Sequence, residues 1–453
     1  MSDRVVVTTG AGAPAAVSRG PRAARFVIVG TTGRGPVDRP VAVTSLSAYR
    51  RVFGERVAGP DMFDAAAMFL GAGAGELVVL RAAGPAAKPA TATVGTGITV
   101  TARDPGAWGN SVKASYVASS KTLTFDYGGG RVVTYTGSDA AGLAAAAAAS
   151  PDFTVAVTAL PSSDVAATAL SAGTDDATHI AWDKTLATLP SYIGPGAVAT
   201  PGVDAHVDLA KFAQRANLLA LVGAGAGENA VAVKAKQTAA GALSGGSSIS
   251  YCYPRVVRDN VAQDPAAYFA ALRGLAIREG GPGTSPILRR IHQLIPGVTL
   301  ATPVTDEDWR LLEAAGVIVG RALPAGTGCD SYGLAAPING NPNLRSAAFA
   351  DLVCAVRHDV EEVLDRFFGF SGTPAELTQI TSEVAGAVDA YRPHLVGAVD
   401  GEGKVIHPGY RVSCDPGVDP ADNRITVRVS LRLTEEIDWV DFTLTVADAS
   451  QSI

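Results

Sequence analysis

The sequence predicts a multidomain protein of mixed α/β (α+β) class. Its 453 residues are enough for two to four domains of about 150 residues each. A 47% share of hydrophobic residues and an 18% share of charged residues are typical of a well-packed globular chain. Two stretches, residues 25–81 and about 173–295, alternate strand and helix patterns, and between them lies a Thr/Val-rich stretch of short strands.

The first α/β stretch, residues 25–81, reads as strand, Gly/Pro-rich turn, short strand, helix, linker, helix and strand. Ser45 is the predicted N-cap of the first helix, which carries Leu46, Tyr49 and Phe53. Asp61 is the predicted N-cap of the second helix. That helix has an apolar stripe at helical spacing, formed by Phe63, Ala66, Ala67 and Leu70.

Residues 90–157 change character, because their apolar runs are short, rich in Thr and Val, and separated by Gly, Asn or Asp. This pattern predicts a small antiparallel β-unit. The alanine run at 140–149 predicts one helix within or beside the unit, since alanine has the highest helix propensity.

Residues 173–295 return to an α/β pattern. We expect helices near 207–216, 231–242 and 265–277, and strands at 217–222 and 248–253. These elements are consistent with a separate second α/β layer.

The last third begins with Thr305 and Asp308, which form a capping-box-like helix start. Ser346 opens a long helix, and Thr373, Pro374 and Glu376 give a strong start signal for another. Two alternating segments, residues 424–433 and 439–446, are predicted to be half-buried strands. At the other end, residues 4–9 are a β-prone run before a Gly/Ala/Pro stretch, which fits either a tethered strand or a frayed terminus.

Charge and hydropathy exclude several classes of function. The formal net charge is −6 and the sequence has no long basic run, so we expect no direct nucleic-acid partner. No uncharged apolar segment is long enough for a membrane helix, and the N-terminal residues do not form a signal-peptide pattern. We therefore expect no membrane insertion, and folding in a cytoplasm. Cys252, Cys329, Cys354 and Cys414 are widely spaced, which predicts buried apolar roles rather than zinc or redox pairs.

The candidate chemical motifs are weak. Residues 30–35 have the spacing G-x-x-G-x-G followed by Pro36, which favours a tight turn over a dinucleotide loop. The loop 223–227 follows a strand and precedes a helix, but no Lys-Ser/Thr pair follows it. Residues 283–286, Gly-Thr-Ser-Pro, are faintly similar to a protease nucleophile loop. Residues 306–308 are a carboxylate cluster of the kind that favours a helix N-terminus. We therefore predict no catalytic residue, no cofactor and no metal.

Several local motifs together match the pattern of a known protein family. The opening has a strand ending in Gly30, the turn Gly33-Arg-Gly-Pro-Val37, the stop Val52-Phe-Gly54 and the strand 77–81. A second match is Gly106-Ala-Trp-Gly-Asn110 before a β-rich segment. Before the long helix, the family pattern Asn-Val-Arg-Arg is represented by Asn343-Leu-Arg-Ser346. With these motifs the sequence resembles contractile phage-tail sheath proteins.

The resemblance implies a structural subunit that polymerises as stacked hexameric rings around an inner tube and contracts to drive that tube through a cell envelope. The expected partners are further copies of the chain, an inner tail tube protein, baseplate proteins and a tail terminator protein. The expected location is the virion tail, assembled in the cytoplasm of a host bacterium.

The resemblance also implies an inner α/β domain built from both chain ends, with the β-unit and the second α/β layer inserted between them. The expected divisions are an N-terminal arm at 1–20, an inner domain at 21–90 plus 300–438, a β-rich insertion at 91–165, an outer α/β domain at 166–299 and a C-terminal strand or arm at 439–453.

A ring that slides during contraction needs contacts that persist, and exchanged terminal strands supply them. The residues expected to form intersubunit sheet are Val5, Val6, Val7, Phe442, Leu444 and Val446. Two alternatives stay open: an α/β enzyme such as a hydrolase or nucleotide-binding protein, and another self-assembling protein such as a capsid or surface-layer subunit.

Overall fold

The structure is a computed structural model that describes ten segments of the chain. They are residues 24–57, 62–190, 193–286, 295–323, 326–342, 344–369, 373–399, 405–416, 425–433 and 440–446. The N-terminal arm, with Val5, Val6 and Val7, and the cap residue Asp61 lie outside the described residues.

The strands of the described part are, in chain order, β1 (Arg25–Gly30), β2 (Val41–Val43), β3 (Leu77–Arg81), β4 (Thr91–Val94), β5 (Ile98–Ala102), β6 (Lys113–Val117), β7 (Thr122–Asp126), β8 (Val132–Thr136), β9 (Phe153–Val157), β10 (Val165–Ala169), β11 (Gly196–Ala199), β12 (Leu218–Gly223), β13 (Ile249–Tyr253), β14 (Val256–Arg258), β15 (Val261–Gln263), β16 (Val298–Leu300), β17 (Ile318–Leu323), β18 (Gly326–Ser331), β19 (Ala398–Val399), β20 (Val405–His407), β21 (Tyr410–Pro416), β22 (Ile425–Leu431) and β23 (Val440–Val446).

The α-helices of the same part are α1 (Leu46–Phe53), α2 (Met62–Gly71), α3 (Ala140–Ala148), α4 (Trp182–Ala187), α5 (His206–Ala216), α6 (Ala230–Gly241), α7 (Pro265–Gly280), α8 (Asp306–Ala315), α9 (Ala347–Leu364) and α10 (Pro374–Asp389). Short 3-10 helices cover Ala107–Ser111, Gly246–Ser248, Ile338–Gly340, Asp365–Phe367 and Arg392–His394.

The centre of the fold is an eight-stranded sheet with the order β18-β17-β13-β12-β11-β1-β3-β2. The six inner strands are parallel, and an antiparallel strand lies at each edge. Helices cover both faces. Phe26 and Ile28 of β1 pack in the core beneath α1, α2, α7 and α9, whereas Val27 and Val29 pack in the core beneath α4, α5, α6 and α8. Burial on both faces explains why these strands are continuous apolar runs.

This sheet corrects the expectation of a separate outer α/β domain at residues 166–299. Strands β11, β12 and β13 of that segment lie between β1 and β17 in the same hydrogen-bonded sheet. The predicted alternation of strands and helices is present in the segment, but it carries no information on which strands become neighbours, because pairing between distant segments is set by tertiary packing.

Strands β4 to β10 form a separate part of the molecule, which we call the β-unit. It consists of a four-stranded sheet, β10-β6-β7-β8, and a three-stranded sheet, β4-β5-β9, with α3 packed beside them. Its core is built around Phe125 and Phe153, whose rings stack with centroids 4.6 Å apart. This core is distinct from the two cores of the central sheet.

In the C-terminal part, α9 packs on β12 of the central sheet, and α10 packs between α9 and β21. A three-stranded antiparallel sheet, β21-β22-β23, which we call the C-terminal sheet, extends the same core. Two minor sheets, β14-β15-β16 and β19-β20, complete the described part.

Helix starts follow the side-chain signals in the sequence. Ser45 Oγ accepts the backbone N–H of Ala48 at 3.1 Å. Thr305 with Asp308 and Thr373 with Glu376 each form a full capping box. These three predicted helix starts are confirmed.

The predicted apolar stripe of α2 is only partly right. Ala66 is completely buried, but Phe63, Ala67 and Leu70 are half-buried, and the other buried apolar side chains are Met62, Ala65, Met68 and Phe69. The helix is apolar on nearly all sides, so the sequence pattern does not specify which face meets the sheet.

Candidate functional site

The first glycine-rich segment, residues 30–35, is a turn shaped by packing. A Cβ atom at Gly35 would lie 2.8 Å from the ring of Phe53 and 2.9 Å from the carbonyl oxygen of Val52. Gly35 also has a φ of +104°, a conformation that favours glycine. The prediction of a close-approach turn is confirmed.

The loop 223–227 lines a cavity of about 430 Å³ at the carboxyl ends of β11 and β12. Carboxylates of the chain itself accept two backbone N–H groups in this cavity. The N–H of Gly225 donates to Glu228 Oε2 at 2.9 Å, and the N–H of Gly202 donates to Asp264 Oδ2 at 2.7 Å. A Cβ at Gly223 would lie 2.0 Å from Asp264 Oδ1.

The charged side chains of this cavity also bind one another. Lys236 Nζ lies 2.8 Å from Asp204 Oδ2 and 2.5 Å from Glu228 Oε1. Burial opposes the charge of Lys236, but its bonds to Asp204 and Glu228 raise its pKa. Burial likewise opposes the charge of Asp204, but the bonds from Lys236 and His206 lower the pKa of that carboxyl group. A phosphate would have to displace these carboxylates, so the geometry argues against a nucleotide loop.

The other chemical candidates have structural partners. Beside the Gly-Thr-Ser-Pro segment 283–286, the ring of His394 lies against Gly281 and Gly283 and hydrogen-bonds the backbone of Gly280, and burial lowers the pKa of His394. The carboxylate of Asp308 accepts the hydroxyl of Thr305 at 2.7 Å in the helix cap. In the described part of the chain, no group of three or more His, Cys, Asp or Glu side chains has the arrangement of a metal site.

All four cysteines are free. Cys252 and Cys329 are buried, and Cys354 and Cys414 are partly buried. Burial raises the pKa of each thiol, which keeps it protonated and unreactive near neutral pH. The predicted role as small apolar side chains is confirmed for Cys252 and Cys329.

The C-terminal sheet is the candidate assembly site because, among the strands that the structure describes, each of its two outer strands has a partner on one edge only. The alternate residues Val427, Val429 and Leu431 of β22 are completely buried. They belong to the same core as Ile380 and Val384 of α10. Between them, Arg428 is exposed and lies 3.6 Å from Asp415 of β21. Within the described residues, the sheet is therefore anchored to the body by the face that carries Val427, Val429 and Leu431.

Strand β23 contains three of the predicted intersubunit residues. In the structure it pairs with β22 of its own chain, with Phe442 opposite Val429, Leu444 opposite Val427 and Val446 opposite Ile425. Among the described strands, β23 has a partner on one edge only, and so has β21. An open edge offers backbone N–H and C=O groups to an added strand. The intersubunit role of these three residues stays a prediction.

Arg345, from the partial motif before the long helix, has a structural role that the sequence did not reveal. Its guanidinium donates to the carbonyl oxygens of Ala314 at 2.9 Å and Ala315 at 2.7 Å, the last residues of α8. A cation at a helix C-terminus satisfies free carbonyls and complements the helix dipole. About 30 residues separate the partners, so no local pattern could have indicated this contact.

None of the α-helices in the described segments is both long enough and apolar enough to cross a lipid bilayer.

Comparison with known proteins identifies the fold. No protein-family model and no curated protein matches the chain. Solved structures do match over almost the whole length. A sheath tail protein from Listeria innocua has a TM-score of 0.66 at 14% identity, covering 93% of this chain and 94% of its own. A sheath tail protein from Desulfitobacterium hafniense has a TM-score of 0.65 at 14% identity, covering 98% and 100%.

The PVC sheath of an extracellular contractile injection system, in its contracted state, has a TM-score of 0.55 at 11% identity, covering 99% of this chain and 97% of its own. The chain therefore has the fold of contractile sheath proteins. The resemblance predicted from the sequence motifs is confirmed at the level of fold.

Proposed function

We propose that the protein is a structural subunit of a contractile sheath, which assembles as stacked hexameric rings around an inner tube and contracts to drive that tube through a cell envelope. The observation that carries this proposal is the match of the whole chain, rather than of one domain, to sheath subunits that include a contracted sheath. The role is mechanical and not enzymatic. The carboxylates of Glu228 and Asp264, which accept backbone N–H groups in the cavity beside the loop 223–227, support that interpretation.

Contraction requires that subunits move as rigid bodies while their connections persist. Terminal strands held by backbone hydrogen bonds to a neighbour meet this requirement, because the angle between subunits can change while the strand stays paired. In the proposal, two terminal segments supply such strands. One carries Val5, Val6 and Val7, and the other carries Phe442, Leu444 and Val446. The edges of β21 and β23 that have no partner among the described strands support it.

The pairing of β23 within its own chain is compatible with exchange. The β23 strand of a second copy could occupy the same register on β22, because the ladder would keep the same residue pairs.

The proposed partners are further copies of the chain, an inner tube protein, baseplate proteins and a tail terminator. We place residues 21–90 and 300–438 toward the tube and the β-unit toward the outside. The proposed location is the tail of a phage or related contractile particle, assembled in a bacterial cytoplasm.

Electron microscopy of the purified full-length chain tests the proposal. Hollow striated tubes, alone or on added tube protein, are the expected result. A closed shell or a flat lattice would identify a capsid or surface-layer subunit instead, and a discrete particle under every assembly condition would contradict the sheath role.

A deletion tests the strand-exchange part. Removal of residues 1–20 is expected to leave a folded monomer, seen by circular dichroism and gel filtration, that does not polymerise. The matched control replaces only residues 10–20 with a Gly/Ser segment of equal length, which keeps the strand-forming run and the reach of its tether. Normal tubes from the deletion, or none from the control, would refute the assignment of residues 4–9.

A further inference from the structure

Hydrogen bonds and an ion pair of Arg81 join the β-unit to the central sheet. The core around Phe125 and Phe153 is not continuous with the cores of the central sheet. Among the described residues, no shared apolar core therefore sets the orientation of the β-unit. Two connecting segments, residues 82–90 and 171–179, lead into and out of it, and we call them the neck.

The two segments of the neck are hydrogen-bonded to each other. Lys88 and Thr174 exchange two backbone bonds of 3.0 Å, and the N–H of Gly84 donates to the carbonyl oxygen of Asp176 at 2.8 Å. A Cβ at Gly84 would lie 2.2 Å from Asp176 Oδ2, so the close approach requires glycine. The neck is thus a short antiparallel ribbon, which by itself could still bend or twist.

Arg81 joins this ribbon to the sheet. It is the last residue of β3, and its side chain is 2% exposed. Its Nη1 donates to the carbonyl oxygen of Gly35, in the turn after β1, at 2.6 Å. Its Nη2 donates to the carbonyl oxygen of Pro105, in the β-unit, at 2.9 Å and lies 3.7 Å from Asp175 in the neck. One planar guanidinium therefore touches three parts of the molecule.

The Gly-Ala-Trp-Gly-Asn segment builds the other side of this joint. A Cβ at Gly106 would lie 3.1 Å from Arg81 Nη2 and 2.9 Å from Asp175 Oδ1. The side-chain amide of Asn110 exchanges two hydrogen bonds of 2.9 Å with the backbone of Gly173. The ring of Trp108 packs near Phe153, with centroids 5.7 Å apart. The motif thus connects the neck to the core of the β-unit.

We propose that Arg81 is a latch that fixes the orientation of the β-unit relative to the central sheet, with residues 106–110 as its receiving surface. Without the latch, the neck becomes a hinge between two folded bodies. A fixed angle matters because the exposed outer strands β8 and β10 then face one constant direction relative to the rest of the subunit. The proposal stands independently of the sheath function.

Arginine suits this position because it keeps its charge when buried and offers donors in a rigid fork. Burial lowers the pKa of Arg81, but the carboxylates of Asp175 and Asp104 oppose that shift. Lysine would provide one point charge and could not reach both carbonyl oxygens in the same geometry.

Hydrogen exchange on the full-length chain with Arg81→Met tests the latch. The expected result is at least tenfold faster exchange at the neck amides of Gly84, Lys88 and Thr174, with unchanged protection in β6 and β12. Small-angle scattering should show a wider range of shapes. The matched control is Arg131→Met, which removes another β-unit arginine, paired with Asp152 at 3.0 Å, and should leave the neck unchanged.

A second variant covers the case in which Arg81→Met does not fold. Asp175→Asn removes the exposed carboxylate beside Arg81 and should speed exchange at the neck about threefold without affecting either core. Neck exchange at the wild-type rate in a folded Arg81→Met protein would overturn the proposal. Global loss of protection in Arg81→Met together with a wild-type neck in Asp175→Asn would also overturn it, because Arg81 would then be a general stability residue.

Discussion

A buried ion pair connects α7 to α9, and its removal should be strongly destabilising. Arg273 and Asp351 have side chains only 1% and 2% exposed. Arg273 Nε lies 2.9 Å and 3.0 Å from the two carboxylate oxygens, Nη2 lies 2.9 Å from Oδ1, and the hydroxyl of Tyr332 donates to Oδ2 at 3.0 Å. Asp351→Ala would leave a guanidinium buried without its counter-charge.

The size of the change in the free energy of unfolding depends on which buried polar groups each variant leaves without a partner. Removing one partner of a buried pair costs about 3–5 kcal/mol, whereas replacing both with apolar residues of similar volume is often close to neutral. In Arg273→Met/Asp351→Leu, the hydroxyl of Tyr332 still loses its acceptor, which costs about 1–3 kcal/mol. The triple variant that adds Tyr332→Phe should therefore approach the wild-type free energy of unfolding.

Urea denaturation of the dispersed full-length chain, followed by circular dichroism, measures these differences. The surface pair Arg321–Asp330, at 3.2 Å with Arg321 54% exposed, provides the control, and Asp330→Ala should cost less than about 1 kcal/mol. The reasoning would be refuted if Asp351→Ala cost as little as this control, or if the double variant were no more stable than the single one.

Three further predictions concern single residues. Gly386 lies exposed in α10 with open space around it, so Gly386→Ala should raise the free energy of unfolding by about 0.5–1 kcal/mol. Gly223→Ala should lower it by about 1–3 kcal/mol because the added Cβ clashes with Asp264. Paired urea titrations compare the two variants. Arg345→Ala should cost about 1–3 kcal/mol and speed hydrogen exchange in the last turn of α8; full rescue by Arg345→Lys would argue against a role for the guanidinium fork. Burial of Asp176 opposes its charge, but hydrogen bonds from Ala86, Thr178 and His179 outweigh it and lower the pKa to about 2. Its stabilising contribution is complete above the unfolded value of about 3.9 and is lost as the pH falls toward 2, so Asp176→Asn should flatten the pH dependence of the denaturation midpoint between pH 4 and pH 2.

Local signals in the sequence were sufficient for most elements. The predicted helix starting at residue 265 and the alanine helix at 140–149 agree with α7 and α3 to within a few residues. Caps such as Thr373 with Glu376 involve residues three apart, so their geometry follows from backbone conformation alone. The fold class was likewise predictable, since it depends on the order of elements and not on their partners.

The sites depended on contacts that the sequence does not display. The C-terminal strand is predicted for donation to another copy, and in this chain it pairs with β22. The glycine loop at 223 lies between a strand and a helix, as a phosphate loop would, yet Glu228 accepts the N–H of Gly225, and Asp264, some 40 residues later, packs against Gly223. In each case a strand or a loop has several possible partners of similar chemistry, and only the folded arrangement selects one.

The sequence by itself determined where helices and strands begin, which residues are apolar enough for a core, and the motifs that indicate a sheath fold. Those properties depend on neighbours a few residues apart. The tertiary structure decided that residues 196–331 share one sheet with residues 25–81, that Arg273 meets Asp351, and that Arg81 joins the β-unit to the sheet. Such contacts depend on the simultaneous packing of distant segments, because the free energy of a buried charge or a paired strand is set by everything that surrounds it.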